Sequence, residues 1–288
     1  MYTHGLLVTA ALSLAMALPS VQAGRPVALE AADCSRINMM FGNDAIGRAV
    51  KYASVPVSVA LLDIQPESNG GVQIEHGAGS DYLVTACIGA GAATRAEAQD
   101  AADAVRLMVD GGRVRVENSG RSRNWSVHLI VEAPDNARIR VETSNGPIGI
   151  SGVSGEITAR SSNGPIGLDD VSGRVSARAQ NGPIHVSGRR GDLDVETSNG
   201  PIGVTLTGRR WEGRLDARAE NGPLRVELPD GYESGVEITS SGRSPWNCGV
   251  AACNTGVGDN SGRTLRIGRD PIVVRVGTTN GPVTVQRR

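Results

Sequence analysis

The sequence predicts an all-β, single-domain parallel β-solenoid, similar to a β-helix, made of 18-residue coils of two strands each. The triplet Asn-Gly-Pro begins at residues 145, 163, 181, 199, 221 and 280, and its first three spacings are each 18 residues. Apolar and polar residues alternate on both sides of the triplets, which is typical of strands with one buried face. Aromatic residues make up only 3% of the chain, so aliphatic side chains must fill a narrow core.

Each repeat contains two short strands. In the unit that starts at residue 163, Ile166 and Leu168 flank Gly167, and after a turn Val175 and Ala177 alternate with polar residues. The first strands are expected to bury Ile148/Ile150, Ile166/Leu168, Ile184/Val186, Ile202/Val204 and Leu224/Val226, and the second strands Ile157/Ala159, Val175/Ala177, Leu193/Val195 and Leu215/Ala217. One slot in each strand holds slender side chains, as two closely packed sheets require.

A β-sandwich of hairpins is the alternative, because Asn-Gly is also a strong hairpin turn signal. The in-phase repeat favours parallel stacking, in which equivalent residues occupy equivalent places. The outward residues Glu142, Arg160, Arg178, Glu196 and Arg218 then form one column. In that column Glu142 lies beside Arg160, and Glu196 lies between Arg178 and Arg218, so opposite charges meet laterally.

The triplets are interpreted as structural turns rather than binding sites. Asparagine and glycine tolerate positive φ, and proline suits the first residue of a strand because it lacks an N–H group. Stacked asparagine side chains are expected to form a hydrogen-bonded ladder along the turns. The turn residues are Asn145, Gly146, Asn163, Gly164, Asn181, Gly182, Asn199, Gly200, Asn221 and Gly222.

One helix, at about residues 95–109, is predicted to interrupt the strands. Thr94 and Glu97 form a capping box, an alanine- and valine-rich stripe follows, and Gly111 and Gly112 end the pattern. Residues 24–59 are an N-terminal segment, and residues 60–288 form the β-strand-repeat domain. That domain holds the regular repeats at 139–231 and a cysteine-containing loop at 240–270.

Residues 1–23 read as a secretory signal peptide. An uncharged apolar run is followed by Val21-Gln22-Ala23, with small residues at the −3 and −1 positions of a cleavage site. The run is short for a membrane span, and no transmembrane segment is expected after cleavage. The protein is therefore predicted to be exported, to the periplasm or to the outer envelope and beyond.

Four cysteines in an exported chain suggest disulfides. Cys248 and Cys253 lie in one glycine-containing loop, which leaves Cys34 and Cys87 as the second pair. Four cysteines allow three pairings, so this connectivity is a preference. Paired spacings of the zinc-binding type are absent from the sequence.

The sequence offers no catalytic, cofactor-binding or metal-binding constellation. Asp169 and Asp170 are adjacent and point to opposite faces of a strand, whereas Asp192 and Asp194 share a face without a histidine beside them. His185 takes an outward position that glycine holds in neighbouring repeats. A net charge of −1 gives no attraction for nucleic acid. Neither a cofactor nor enzymatic activity is expected.

The ordered combination of several segments resembles the DUF4097 family of bacterial β-strand-repeat proteins, which are proposed adhesins. The likeness covers roughly residues 60 to 285 and is carried by SNGGVQIEHG, AEAQDAADAV, NWSVHLIVEAPDNARIRVETSNG, the repeats at 143–226 and WEGRLDARAENGPLRVELPDGY. It implies a β-solenoid-like protein that is exported or envelope-associated, with no established catalytic residues. The cysteine loop near the C-terminus departs from the family's pattern.

The expected function is a non-enzymatic structural or adhesive role in the bacterial cell envelope, with an envelope protein or a glycan surface as partner. A polysaccharide-active β-helix enzyme and a partner-binding module in envelope-stress signalling are the alternatives. Trp125, Trp211 and Trp246 would stack on carbohydrate only if they met on one face, and local packing is the other interpretation. The ligand, the handedness of the coil and the oligomeric state do not follow from the sequence.

Overall fold

A computed structural model describes residues 34–66, 70–120, 124–241, 244–250 and 262–288. These residues form two 11-stranded sheets, one α-helix and a 3-10 turn at Cys34–Arg36. Sheet A contains, in spatial order, β1 (Ala45–Val55), β4 (Tyr82–Ala92), β7 (Trp125–Ala133), β3 (Gly71–His76), β9 (Ile148–Ser151), β11 (Ile166–Asp169), β13 (Ile184–Gly188), β15 (Ile202–Leu206), β17 (Leu224–Leu228), β22 (Val283–Arg287) and β19 (Trp246–Cys248).

Sheet B faces sheet A across the core. It contains, in spatial order, β20 (Gly262–Ile267), β18 (Gly235–Ser241), β21 (Ile272–Asn280), β16 (Glu212–Asn221), β14 (Arg190–Thr197), β12 (Ser172–Ala179), β10 (Ser154–Ser161), β8 (Ala137–Thr143), β2 (Leu62–Gln65), β6 (Arg113–Asn118) and β5 (Val105–Asp110).

The central strands form the predicted parallel solenoid. The chain alternates between the sheets from β8 to β17, and each strand pairs in parallel with its counterpart one repeat away, so that Ile166 pairs with both Ile148 and Ile184. In the described chain, antiparallel pairs occur only toward the two ends, at β1–β4, β4–β7, β5–β6 and β18–β20. The solenoid prediction is confirmed, and the sandwich of hairpins is not what the chain forms.

The core consists of the inward-facing columns of the two sheets. Every residue that the repeat assigned to a buried slot is buried, from Ile148/Ile150 on the first strand to Leu215/Ala217 on the last. The slender slots are Ala159, Ala177 and Ala217, each with an exposed fraction of 0%. Each buried Ile, Leu or Val contributes about 1.5–3 kcal/mol by leaving water, so the repeated aliphatic columns are the main stabilising element.

Two coils occupy positions that differ from their order in the chain. The β2–β3 coil lies between the β6–β7 and β8–β9 coils, and the β21–β22 coil lies between β16–β17 and β18–β19. After β17 the chain therefore skips one strand position in each sheet and forms β18 and β19 beyond it. The last strands, β21 and β22, then occupy the two skipped positions. This return explains the 59-residue gap before the last triplet, because Asn280 pairs directly with Asn221.

The helix exists but is shorter than predicted. It spans Arg95–Asp103 with the expected capping box at Thr94, and it buries Ala98 and Ala102 against the core. The expected extension to residue 109 is wrong, because residues 105–110 form β5, which pairs antiparallel with β6 across a turn of positive φ at Gly111 and Gly112. The backbone pairing of β5 with β6 outweighs the helical spacing of the apolar residues in this segment.

A disulfide holds the N-terminal residues of the described chain against sheet A. Cys34 and Cys87 are bonded, with their Cα atoms 5.5 Å apart, as the cysteine pattern suggested. Cys248 is also disulfide-bonded, and its predicted partner Cys253 lies outside the described residues. The predicted signal peptide at 1–23 lies outside them as well. No described helix is both long and apolar enough to cross a membrane.

Candidate functional site

The Asn-Gly-Pro triplets lie together at the corner where the chain passes from sheet B to sheet A. Their exposed asparagine side chains form a continuous ladder, in which each Nδ2 donates to the Oδ1 of the asparagine on the preceding row. The five bonds are Asn163 to Asn145 (2.9 Å), Asn181 to Asn163 (2.9 Å), Asn199 to Asn181 (3.1 Å), Asn221 to Asn199 (3.3 Å) and Asn280 to Asn221 (3.0 Å). The predicted ladder is therefore present.

The triplet glycines have a different role from the one predicted. None of the triplet asparagines or glycines has a positive φ, so the expected left-handed turn is wrong. A Cβ added at Gly164 would instead lie 2.0 Å from the carbonyl oxygen of Gly146, and one at Gly182 would lie 2.1 Å from that of Gly164. Glycine is required because successive coils stack closely at this corner.

Buried hydroxyl groups beneath the corner bond to the glycine backbone. Thr143 Oγ1 donates to the Gly146 carbonyl at 2.9 Å, and the Gly164 N–H donates to Ser161 Oγ at 2.8 Å. Thr197 and Thr278 donate in the same way to glycine carbonyls, at 3.0 and 2.7 Å. Asparagine, glycine and hydroxyl groups at this corner therefore bond mainly to one another.

A groove on the outer face of sheet B, beside this corner, is the best candidate site. It has a volume of about 620 Å³ and extends from Gln65, at the end of β2, across β8, β10, β12 and β14. It is lined by Glu142, Arg160, Arg178 and Glu196, called here the groove column, and by Ser144, Ser162, Gln180 and Ser198, called here the rim residues. Since neighbouring strands are about 4.8 Å apart, the groove runs along the solenoid axis for about 19 Å.

The groove column follows the register that the repeat predicted. Arg160 pairs with Glu142 on one side and with Arg178 on the other, and Glu196 lies between Arg178 and Arg218. Of the two ion pairs predicted for Glu196, only the one to Arg178 forms, because Arg218 turns to Asp216 instead.

A second column on the same face differs in its charge pattern. Arg138, Glu156, Arg174, Asp192 and Arg214, called here the alternating column, change sign at every strand. Each charge in it has opposite charges as lateral neighbours, which is the favourable arrangement in a sheet. The groove column breaks this rule at one place, where Arg160 and Arg178 are direct neighbours.

The two neighbouring arginines turn away from each other. Arg160 Nη1 lies 3.4 Å from Glu142 Oε1, one row nearer the N-terminus. Arg178 donates through Nη2 to Asp194 at 2.8 Å and through Nη1 to Ser176 Oγ at 2.6 Å, and its Nε lies 3.5 Å from Glu196. Arg178 is thus held by three groups and Arg160 by one, and both side chains are about half exposed.

The acidic candidates and His185 do not come together. Asp169 ends β11 on sheet A, whereas Asp192 and Asp194 lie on sheet B, in different columns beside arginines. His185 lies over Gly203 on the outer face of sheet A. Within the residues that the structure describes, no group of three or more His, Cys, Asp or Glu side chains could hold a metal ion.

The three tryptophans do not form an aromatic platform. Trp211 is buried at the opposite corner, where its Nε1 donates to the Gly191 carbonyl at 3.0 Å. Trp125 lies on β7 and Trp246 on β19, which are near opposite ends of sheet A. The residues that line the groove carry hydrogen-bonding groups and charges, and none of them is aromatic.

The shifted pKa values belong to residues outside the groove. Burial lowers the pKa of His128 on β7 and raises that of Tyr232 near the opposite corner. A hydrogen bond between Arg210 and Glu233 raises the pKa of the arginine and lowers that of the carboxyl. All four residues lie away from the groove column.

Sequence reasoning identified the groove column but missed the rim of the groove. The rim residues Ser144, Ser162, Gln180 and Ser198 each precede a triplet asparagine, so the repeat contained the signal. The repeat does not show that these residues line a groove, because the groove exists only where the coils are stacked on one another.

Comparison with known proteins gives distant similarities. The sequence matches no protein-family model and no curated protein. A solved structure of a proposed cell adhesion protein from Clostridium sporogenes aligns with 84% of this chain and 100% of its own, at 10% identity and a TM-score of 0.33. A proposed lipid-binding protein from Parabacteroides distasonis aligns with 83% of this chain and 97% of its own, at 10% identity and a TM-score of 0.28. Such low TM-scores indicate only a loose likeness, and no function follows from them.

Proposed function

We propose that this protein is a non-enzymatic structural or adhesive component of the bacterial cell envelope, and that its groove on sheet B binds a linear polar polymer such as an envelope glycan. The observation that carries the proposal is the direction of the groove. It follows the solenoid axis, so a chain molecule lying in it meets a comparable polar side chain at every strand.

The composition of the groove supports a polymer with many hydroxyl or charged groups. Serine and glutamine on the rim both donate and accept hydrogen bonds, and the groove column offers charges of both signs. A stacked β-sheet holds these groups rigidly, which lowers the entropy lost on binding. An extended surface made of equivalent repeats is also the usual binding surface of solenoid proteins.

Export is supported by the signal-like residues 1–23 and by the disulfide-bonded cysteines, which suit an oxidising compartment. The resemblance to DUF4097 proteins points in the same direction. The non-enzymatic part of the proposal rests on the dispersal of the acidic and histidine candidates over both sheets.

The test is co-sedimentation of the purified protein with isolated cell envelopes, peptidoglycan and insoluble glycans. Ser162→Trp places a bulky side chain in the groove and should abolish sedimentation. His185→Trp introduces the same side chain at an exposed position on the opposite sheet and should have no effect. A wild-type protein that sediments with none of these materials would refute the binding role, and release of sugar ends from a glycan panel would refute the non-enzymatic role.

A further inference from the structure

The groove column contains a pair of neighbouring arginines, whereas the other like-charge neighbours on the described strands, Asp194 beside Asp216 and Glu75 beside Glu132, are acidic. Like charges at directly opposite positions of two strands destabilise a sheet, and the alternating column avoids them on all five of its strands. The groove column places Arg160 beside Arg178 without an intervening carboxylate, although Glu142 and Glu196 are available one strand further out on each side.

The contacts of the two arginines leave donors available at the centre of the groove. A guanidinium has five N–H groups, and the polar contact that the described residues make with Arg160 is the long one to Glu142, at 3.4 Å. Arg178 is fixed in place by Ser176, Asp194 and Glu196, which contact Nη1, Nη2 and Nε in turn. One arginine is thus positioned, and its neighbour is free to turn toward a ligand.

We infer that Arg160 and Arg178 form a subsite for a carboxylate, and that the polymer bound in the groove is an acidic glycan containing uronic acid units. This inference rests on the proposed polymer-binding function. A planar carboxylate matches the fork of Arg160 with two parallel hydrogen bonds, and it is attracted at the same time by the charge of Arg178.

The surroundings suit a ligand that carries hydroxyl groups beside its carboxylate. Ser162 and Gln180 immediately follow the strands of the two arginines and line the same groove. The groove column as a whole is electrically neutral, since Glu142 and Glu196 balance the arginines. Recognition therefore depends on placing the carboxylate at the arginine pair, and a general attraction for anions is not expected.

The test uses polygalacturonate as the acidic polymer and a neutral glucan of similar length, with affinities measured by calorimetry at low and moderate salt. Arg160→Gln should weaken binding of polygalacturonate by roughly ten- to a hundredfold, because it removes a charged bidentate contact. Arg160→Lys keeps the charge without the fork and should restore only part of the affinity. Arg174→Gln, in the alternating column of the same face, is the matched control and should bind like the wild type.

The urea midpoints of the same variants separate a role of Arg160 in binding from a role in stability. Arg160→Gln removes a like-charge neighbour and also the exposed ion pair with Glu142, so the two effects offset and the urea midpoint should change little. Arg174→Gln removes a charge that lies between Glu156 and Asp192 and should lower the midpoint slightly. Equal binding of both polymers, unaffected by Arg160→Gln, would overturn the carboxylate subsite and leave polymer binding intact. Tighter binding of a sulfated glycan, or no binding of polygalacturonate, would also overturn the carboxylate subsite. Co-sedimentation with cell envelopes tests the proposed function independently of this result.

Discussion

Replacing Gly164 by alanine tests the close stacking of coils at the Asn-Gly-Pro corner. The added Cβ would lie 2.0 Å from the Gly146 carbonyl oxygen, about 1.4 Å short of an ordinary contact at 3.4 Å. The obstacle is backbone, so no side-chain rotation relieves it, and the two coils must move apart. That movement strains or breaks two bonds of the adjacent Asn163, from its N–H to the Ser144 carbonyl (2.8 Å) and from its side chain to Asn145 (2.9 Å).

The overpacking and the two weakened hydrogen bonds together give the expected loss in the free energy of unfolding. Overpacking costs about 1–3 kcal/mol, and two hydrogen bonds contribute about 0.5–1.5 kcal/mol each, so the free energy of unfolding should fall by about 2–6 kcal/mol. Urea unfolding followed by far-ultraviolet circular dichroism measures it. Gly167→Ala is the control on the same coil, because its Cβ would meet nothing within 4 Å, and it should stabilise by about 0.4–1 kcal/mol. Equal urea midpoints for the two variants would refute the stacking argument.

Three further predictions concern the ladder, the disulfide and a partly buried histidine. Asn181→Ala, in mid-ladder, should cost about 1–3 kcal/mol in urea unfolding because it removes two side-chain hydrogen bonds, and an unchanged midpoint would contradict a stabilising ladder. The double replacement of Cys34 and Cys87 by alanine removes a disulfide that links residues 53 positions apart. The entropy of closing that loop predicts a loss of about 4 kcal/mol in the free energy of unfolding. A melting temperature equal to that of the wild type would contradict this prediction. Burial lowers the pKa of His128 in the folded protein, so the unfolded chain binds a proton at higher pH than the folded chain does, and the free energy of unfolding should fall as the pH drops below 6.5. His128→Gln should remove this part of the pH dependence of stability. A pH profile of stability identical to that of the wild type would contradict the prediction.

The regular part of the fold was predictable because each coil repeats the same local pattern. Alternation predicts Ile166 and Leu168 in the core, and the 18-residue period predicts Arg160 beside Arg178, as the structure has them. The asparagine ladder followed from the same period. In a parallel stack, residues one repeat apart are neighbours, so the sequence spacing already contains the lateral contacts.

The parts that could not be predicted depend on contacts between segments far apart in the chain. Residues 105–109 have helical spacing, but they become β5 because β6 offers a pairing partner. The final triplet, 59 residues after its predecessor, stacks directly on it because β18 and β19 occupy the next row outward.

The sequence by itself determined the strand period, the composition of the buried columns, the position of the turns and the order of charges along sheet B. The tertiary structure alone decided why glycine is needed at the corner, how the two out-of-order coils fit into the stack, and where a groove opens beside the arginine pair. The physical reason is that the periodic features arise between residues one repeat apart, whereas the spacing of coils, the insertion of rows and the depth of a groove depend on how the backbones of the whole stack approach one another.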